Sequence, residues 1–321
     1  MAKYGIESIH RVTIVKQTLV LGSTVVDVLL NVPALPQRGN DINITASEYR
    51  IGGCAYNVYS ALRLFKSPAL LCSPVGSGVY GSMVRDHLER EGVLPIVNLE
   101  KANGCCYCLI EPDGERTFLS HHGAEYLFSR SWMKGIDLSQ AGGIYVSGIE
   151  LEESSAGEIL GFVYEHPHLE LCFAPGPRIT HISPEIMGGL LYRRDRNGKG
   201  PLLHLNGNEA MDFSGQGSIE EAAEFLTGKT GNMVIITLGE QGCYCLEGAG
   251  SKGAYIPGFP VRALDTVGAG DAHCGALMAC LKGGMSLPDS CMRANRIGAA
   301  LVGIGGERNW SQDMDVLEAK P

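Results

Sequence analysis

Short apolar runs along the chain alternate with longer stretches in which apolar residues recur at helical spacing. Thr18 to Leu30 (TLVLGSTVVDVLL) reads as a strand, with a bend or bulge at Gly22-Ser23. Ala55–Phe65 and Ser82–Glu91 read as helices, and Ala69–Val75 between them as a strand. Further strands are predicted at Gly143–Ser147, Leu169–Phe173, Leu202–Leu205 and Met233–Leu238. Helices are predicted at Ser154–Tyr164, Ser183–Tyr192, Ile219–Leu226, Ala269–Lys282 and Leu287–Val302. Strands and helices in this alternation are βα units, so the predicted fold class is α/β, a doubly wound, mainly parallel sheet flanked by helices.

Two segments break the rhythm. Gly39–Tyr49 is polar and alternating, and Gly104–Ser120 (GCCYCLIEPDGERTFLS) is two strand-like runs around Asp113-Gly114. Asp-Gly between such runs is a hairpin-turn signal. Segments 31–49 and 104–122 therefore predict a small antiparallel sheet projecting from one domain that spans 1–321. No internal repeat, low-complexity tract or detached linker interrupts the chain.

Composition narrows the picture. With 45% hydrophobic and 19% charged residues, a sizeable core is expected and wholesale disorder is not. A net charge of −9 argues against nucleic acid as the main partner, while leaving room for small anions held by local donors. The eleven cysteines are scattered, with Cys106/Cys108 and Cys243/Cys245 spaced to share one face of a strand; they read as core thiols in a reducing compartment. Arg11, Lys16 and Gln17 interrupt any secretory apolar region, and no apolar run of the roughly 18 residues a membrane span needs is present. A soluble cytoplasmic protein without a membrane or nucleic-acid partner is the expectation.

Chemistry concentrates at Asp265–Asp271, DTVGAGD, just before a predicted helix. A helix N-terminus has unpartnered N–H groups and a positive dipole end, and so attracts anions. Gly268, Ala269 and Gly270 can bring backbone N–H groups close to a phosphate because no bulky side chain intervenes. Asp271 then reads either as a helix cap or as a base beside a bound phosphate.

This stretch resembles the DTxGAGD signature of the ribokinase-like (PfkB) carbohydrate kinases. Other elements of that family follow in its order. IGGCAYNVYSAL carries GGxxxN as Gly52, Gly53 and Asn57, and Asp27 stands where the family places a sugar-binding Asp. LNGNE supplies N-x-x-E as Asn206 and Glu209, and TLGEQG supplies T-x-G-x-x-G as Thr237, Gly239 and Gly242. The resemblance implies ATP-dependent phosphorylation of a hydroxyl, expected to be primary, on a sugar or ribonucleoside. It implies Asp271 as general base, Gly268–Gly270 as anion hole, and Asp27, Gly52, Gly53 and Asn57 as substrate contacts. Asn206 and Glu209 would hold Mg²⁺ through water, Thr237, Gly239 and Gly242 would line the nucleotide phosphates, and Asn295 would lie near the adenine. Several of these residues keep a plainer reading: Asn206 and Glu209 as a helix cap with a surface acid, Gly52-Gly53 as an ordinary loop, Asn295 as an exposed helical residue. Asp265 has two readings, a turn-initiating acid or part of a loop that holds a monovalent cation such as K⁺.

The projecting sheet would then be a lid over the sugar, and its exposed strand edges invite a homodimer. Arg116 and His121 lie on or near it, within reach of the pocket or in solvent. Two family positions differ here: Gly78 replaces an acid common in G-x-D-x-x-G, and Ala174 begins APGPR in place of D-P-N-x-R. Glu150 or Glu152 would supply a replacement sugar contact, with Glu152 the site residue chosen. GSGVYG, Gly76 to Gly81, is also a literal GxGxxG with Glu100 beyond it, so an NAD-dependent oxidoreductase is a rival reading. A catalytically weak sugar or nucleoside sensor on the same fold is another.

Overall fold

In the computed structural model, which describes residues 16–304, the chain enters and leaves its main sheet twice before the regular βα units begin. β1 (Gln17–Leu21) lies in the main sheet, whereas β2 (Val25–Asn31) and β3 (Ala46–Gly52) form an antiparallel pair in a separate sheet. α1 (Cys54–Leu64) returns the chain to β4 (Ala69–Cys72), parallel to β1. β5 (Pro74–Ser77), α2 (Gly78–Arg90) and β6 (Val97–Ala102) follow, with β5 and β6 paired as a parallel two-stranded ribbon. β7 (Cys105–Ile110) and β8 (Arg116–His121) complete the small sheet, whose order is β3-β2-β7-β8.

The remaining elements are β9 (Ala141–Ser147), α3 (Ala156–Glu165), β10 (Glu170–Ala174), α4 (Pro184–Tyr192), β11 (Leu202–Asn206), α5 (Gly207–Ser214), α6 (Ile219–Thr230) and β12 (Val234–Thr237). β13 (Gly242–Leu246) and β14 (Ala254–Pro257) add antiparallel strands at one edge, and α7 (Ala269–Lys282) and α8 (Leu287–Val302) close the fold. The main sheet has eight strands in the order β14-β13-β12-β11-β10-β9-β1-β4, parallel from β12 to β4. Both faces are covered, which is why its strands are almost continuously apolar. Leu19, Ile144, Phe173, Leu205 and Ile236 point to the side of α3, α4 and α6. Val20, Tyr145 and Ile235, one residue out of phase, point to the side of α1, α7 and α8.

The predicted elements appear with small shifts in their ends, and three differences have physical causes. The run Thr18–Leu30 is two strands in two sheets, because the chain turns at Gly22 (φ 141°) and the Ser23 N–H bonds to the Glu150 carboxylate at 2.9 Å. Ala69–Val75 likewise divides at Ser73-Pro74, and β5 leaves the main sheet to pair with β6. The small sheet takes in residues 25–31 as well as the two predicted segments, and its central pair, β2 and β7, runs parallel while the outer pairs are antiparallel. Its hairpin turns as expected at Asp113-Gly114, where the Asp113 carboxylate accepts the Glu115 N–H at 3.0 Å and Gly114 has φ 89°. Strands β6, β13 and β14 and helix α5 were not among the predicted elements. Nine of the eleven cysteines are buried and all are free thiols. No helix of the described residues is long and apolar enough to cross a membrane.

The GxGxxG glycines have a packing role. A side chain on Gly76 would lie 2.7 Å from the Asn103 nitrogen, and one on Gly81 would lie 2.7 Å from the Gly76 carbonyl carbon. These glycines let β5, β6 and α2 pack backbone to backbone, so their presence is accounted for by packing alone.

The crossing of α1 and α7 matters most for the site. Gly275 permits it: a Cβ there would sit 2.6 Å from both the Ala61 Cβ and the Val58 carbonyl oxygen. Ala61 and Ala276 beside it are fully buried. We predict that Gly275→Ala lowers stability by about 1–3 kcal/mol, the usual cost of overpacking a close contact. Urea denaturation measures it; an unchanged midpoint would contradict a rigid crossing.

Candidate active site

The segment DTVGAGD forms the entry to α7. Gly268 is the residue before the helix, at φ 69°, and Asp271 lies in the first turn. The chain leading in is tied down by the Val302 carbonyl, which accepts the Leu264 and Asp265 N–H groups at 2.8 and 3.1 Å. First-turn N–H groups have no acceptor within the helix; the Ala269 N–H bonds the Thr266 carbonyl at 3.3 Å, and a side chain on Gly270 would meet nothing within 4 Å.

Asp271 is held from α1. The Asn57 amide donates to its carboxylate at 3.0 Å across the α1–α7 crossing. The Cys54 thiol is hydrogen-bonded to the same carboxylate, and burial, with Asp271, Glu150 and Asp27 around it, pushes that thiol well above its ordinary pKa. The charges of three carboxylates from three parts of the sequence thus act on one thiol. Gly53, just before α1, has φ 102° and lies so close to the Ser23 carbonyl that a Cβ would approach it to 2.6 Å. Only glycine allows that backbone shape and that approach together. Gly52 lies under the Asp27 carboxylate.

Asn206 and Thr237 are register partners at the carboxyl ends of the parallel strands β11 and β12. Asn206 and Glu209 form a reciprocal cap on α5: the Asn206 side chain accepts the Glu209 N–H at 2.9 Å, and Glu209 accepts the Asn206 N–H at 3.0 Å. The plainer reading of N-x-x-E is therefore present. Glu209 is half-buried, and its pKa is raised by burial and, to a smaller degree, by Asp271. Gly239 opens a short turn and Gly242, at φ 98°, starts β13. Asn295 is not an exposed helical residue. It is buried, donating to the Ile256 and Pro257 carbonyls at 3.1 and 3.0 Å and bonded to His273, which in turn meets His204.

Asp265 lies apart from Asp271 in its partners. Its carboxylate accepts the Val267 N–H at 2.9 Å and binds two guanidinium groups from the small sheet, Arg50 and Arg116. A cavity of about 220 Å³ beside it is lined by Asp27, Arg50, Gly52, Asn57, Asp265 and residues of α2 including His87. Glu152 is engaged by Arg178, with Nη2 to Oε2 at 2.6 Å. Glu150, almost fully buried, instead accepts from Ser23 and Ser147 and faces the Asp27–Asp271 group.

Arg50 and Cys54 were not among the residues expected at the site. Arg50 could have been found as the cross-strand neighbour of Asp27, once the pairing of β2 with β3 was known. Cys54 follows directly from its place inside GGCAYN.

An acid in the first turn of α7, the glycine-rich entry to that helix and the carboxylates of Asp27 and Glu150 lie in a chain whose fold and family are those of enzymes that phosphorylate alcohols. The chain belongs to the PfkB family of carbohydrate kinases, matching the family described as "pfkB family carbohydrate kinase" over residues 15–162 and 198–313. It is 32% identical over 297 residues to the uncharacterized sugar kinase YegV of Escherichia coli (strain K12), covering 91% of this chain and 90% of that protein. The structure superposes on ribokinase from Giardia lamblia with TM-score 0.80 at 19% identity, covering 95% of this chain and 99% of that one. Ribokinase from Cryptococcus neoformans var. grubii serotype A, in complex with ADP, gives TM-score 0.74 at 23% identity, covering 95% and 99%. The chain is thus an ATP-binding phosphotransferase of ribokinase-like fold, and the dinucleotide oxidoreductase reading falls.

Glu150 supplies a local test. Replacing it with Ala removes the acceptor of the Ser23 N–H at the turn between the two sheets. We predict a loss of about 1–3 kcal/mol, with Glu150→Gln losing less because an acceptor remains. Equal losses in urea denaturation would show that the hydrogen bond is not what Glu150 contributes.

Proposed function

We propose that the protein transfers the γ-phosphoryl group of ATP to a hydroxyl, a primary one, of a sugar or ribonucleoside. The observation that carries this reading is the setting of Asp271: in the first turn of α7, next to the glycines that lead into the helix, bonded to Asn57 and within the electrostatic reach of Asp27 and Glu150 through Cys54. Asp27 and Asn57 suit vicinal hydroxyls, one accepting and the other both accepting and donating. Of the two glutamates, Glu152 holds Arg178, and Glu150 is almost fully buried with its oxygens on Ser23 and Ser147. The small sheet serves as a lid that excludes water from the transferring group.

In this reading Asp271 takes the proton of the acceptor hydroxyl. The hydroxyl oxygen forms the new bond to phosphorus as the bond to the β-phosphate bridging oxygen breaks. The N–H groups at Gly268–Gly270 stabilise the charge on the equatorial oxygens. Asn206, Thr237, Gly239 and Gly242 lie on the nucleotide side, and Asn295 shapes its floor through the Ile256 and Pro257 carbonyls rather than by direct contact. Mg²⁺, when bound, offsets phosphate charge while keeping water ligands, which suits Glu209, a half-buried carboxylate close enough to feel Asp271. Gly78 and Ala174, which stand where the family has acids, are expected to alter which acceptor fits rather than the reaction. The lid's outer strand β8 exposes Phe118 and Leu119 by 51% and 57%, which supports a homodimer through the lid.

Asp271→Asn keeps the shape and removes the base. With an acceptor that the wild type phosphorylates, kcat should fall by about 10²–10⁴-fold while ATP affinity holds. Near-full turnover by this variant would overturn the assignment of the base.

A further inference from the structure

Two arginines from opposite edges of the lid meet on one carboxylate of the body. Arg50 comes from β3 at one edge of the small sheet and Arg116 from β8 at the other. Arg50 Nη1 binds Asp265 Oδ2, and Arg116 Nη1 lies 3.0 Å from Asp265 Oδ1. Arg116 also donates to Thr266 Oγ1 at 3.0 Å and to the Leu264 carbonyl at 3.4 Å, so one guanidinium touches three successive residues of the turn. Arg50 is held in orientation by Glu48, its Nε and Nη2 bonding the two carboxylate oxygens at 2.7 and 2.9 Å. The side chains of Asp265, Arg116 and Arg50 are only 7%, 14% and 18% exposed. These contacts are therefore sheltered from the screening that makes surface ion pairs weak.

We propose that Arg50 and Arg116 are positioning residues for phosphoryl transfer. Lid closure seats both guanidiniums on Asp265, fixing the turn that leads to the anion hole and supplying there the positive charge that a monovalent ion would otherwise bring. This rests on the kinase reading above and extends it to the coupling between lid and turn. Both oxygens of Asp265 have a guanidinium partner, and the Val267 N–H shares one of them. The same carboxylate thus links the lid to the backbone that runs into Gly268–Gly270. Opening the lid withdraws two cations and loosens the turn in one motion. Closing it restores both. Arginine suits this task because its planar group stays charged and can bond several acceptors at once. The arrangement makes the anion hole complete only when water is excluded, which guards ATP against hydrolysis.

The test compares full-length wild type, Arg50→Ala/Arg116→Ala and Arg50→Lys/Arg116→Lys in potassium chloride and in tetramethylammonium chloride at equal ionic strength. Thermal melting and hydrogen exchange of residues 264–268 need no acceptor. The wild type should melt at the same temperature in both salts. The Ala pair should melt lower in tetramethylammonium and regain about 2–4 °C in potassium, with exchange at 264–268 raised and then partly restored. The Lys pair should lie between them. In turnover, the Ala pair should lose about 5–150-fold in kcat, with a smaller change in KM, and potassium should recover part of that loss. A wild type strongly stabilised by potassium, with an Ala pair that responds to the ion no differently, would overturn the proposal. So would equal exchange at 264–268 in all three proteins. If the melting and exchange results hold but no acceptor supports turnover, the latch stands and the kinase reading fails.

Discussion

The close crossing of α1 and α7 is the contact on which the site depends. Gly275 lets the helices approach until only alanines and backbone separate them, and at that spacing Asn57 reaches Asp271. Because Gly53, squeezed against Ser23, leads directly into α1, the same contact fixes where the chain leaves the small sheet. The body supplies the acid and the donors, and the small sheet supplies Asp27. Their relative placement is a packing result, set by small residues that no single motif announces.

Electrostatics divides the two acids of DTVGAGD. Asp271 is bonded by the Asn57 amide and lies beside a Cys54 thiol that burial holds protonated, a setting that suits the base proposed above. Asp265 faces two guanidiniums, a setting in which it serves as an anchor. Sequence distance gives no hint of this, since both carboxylates flank the same glycines. The partners come from segments more than a hundred residues away, Arg50, Asn57 and Arg116, and their chemistry sets the two carboxylates apart.

Much of the fold was readable in the chain because a doubly covered parallel sheet writes itself as apolar runs between amphipathic stretches. Helices α7 and α8 were readable to the residue, since glycine and serine mark their starts. What was hidden depended on non-local geometry. Thr18–Leu30 looks like one strand because apolar content does not reveal that the chain changes sheets at Gly22, where a carboxylate 127 residues on in sequence takes the next N–H. At the site, the residues inside motifs were legible, whereas Arg50 was not: its role follows from a cross-strand pairing with Asp27 that periodicity cannot specify. Asn206 and Glu209 show the opposite limit. Their spacing serves a helix cap and a metal-binding pair equally well, and the cap is what the side chains form.

The central claim is that this end of the sheet joins a phosphoryl donor to a hydroxyl acceptor. The most direct measurement is ATP consumption, with mass detection of product, across free sugars, phosphosugars and ribonucleosides. The account predicts that at least one sugar or ribonucleoside raises ADP release well above the acceptor-free rate and gains one phosphoryl group. Binding of ATP and of such an acceptor with no phosphorylated product would contradict it, and would make the protein a sensor built on a kinase fold.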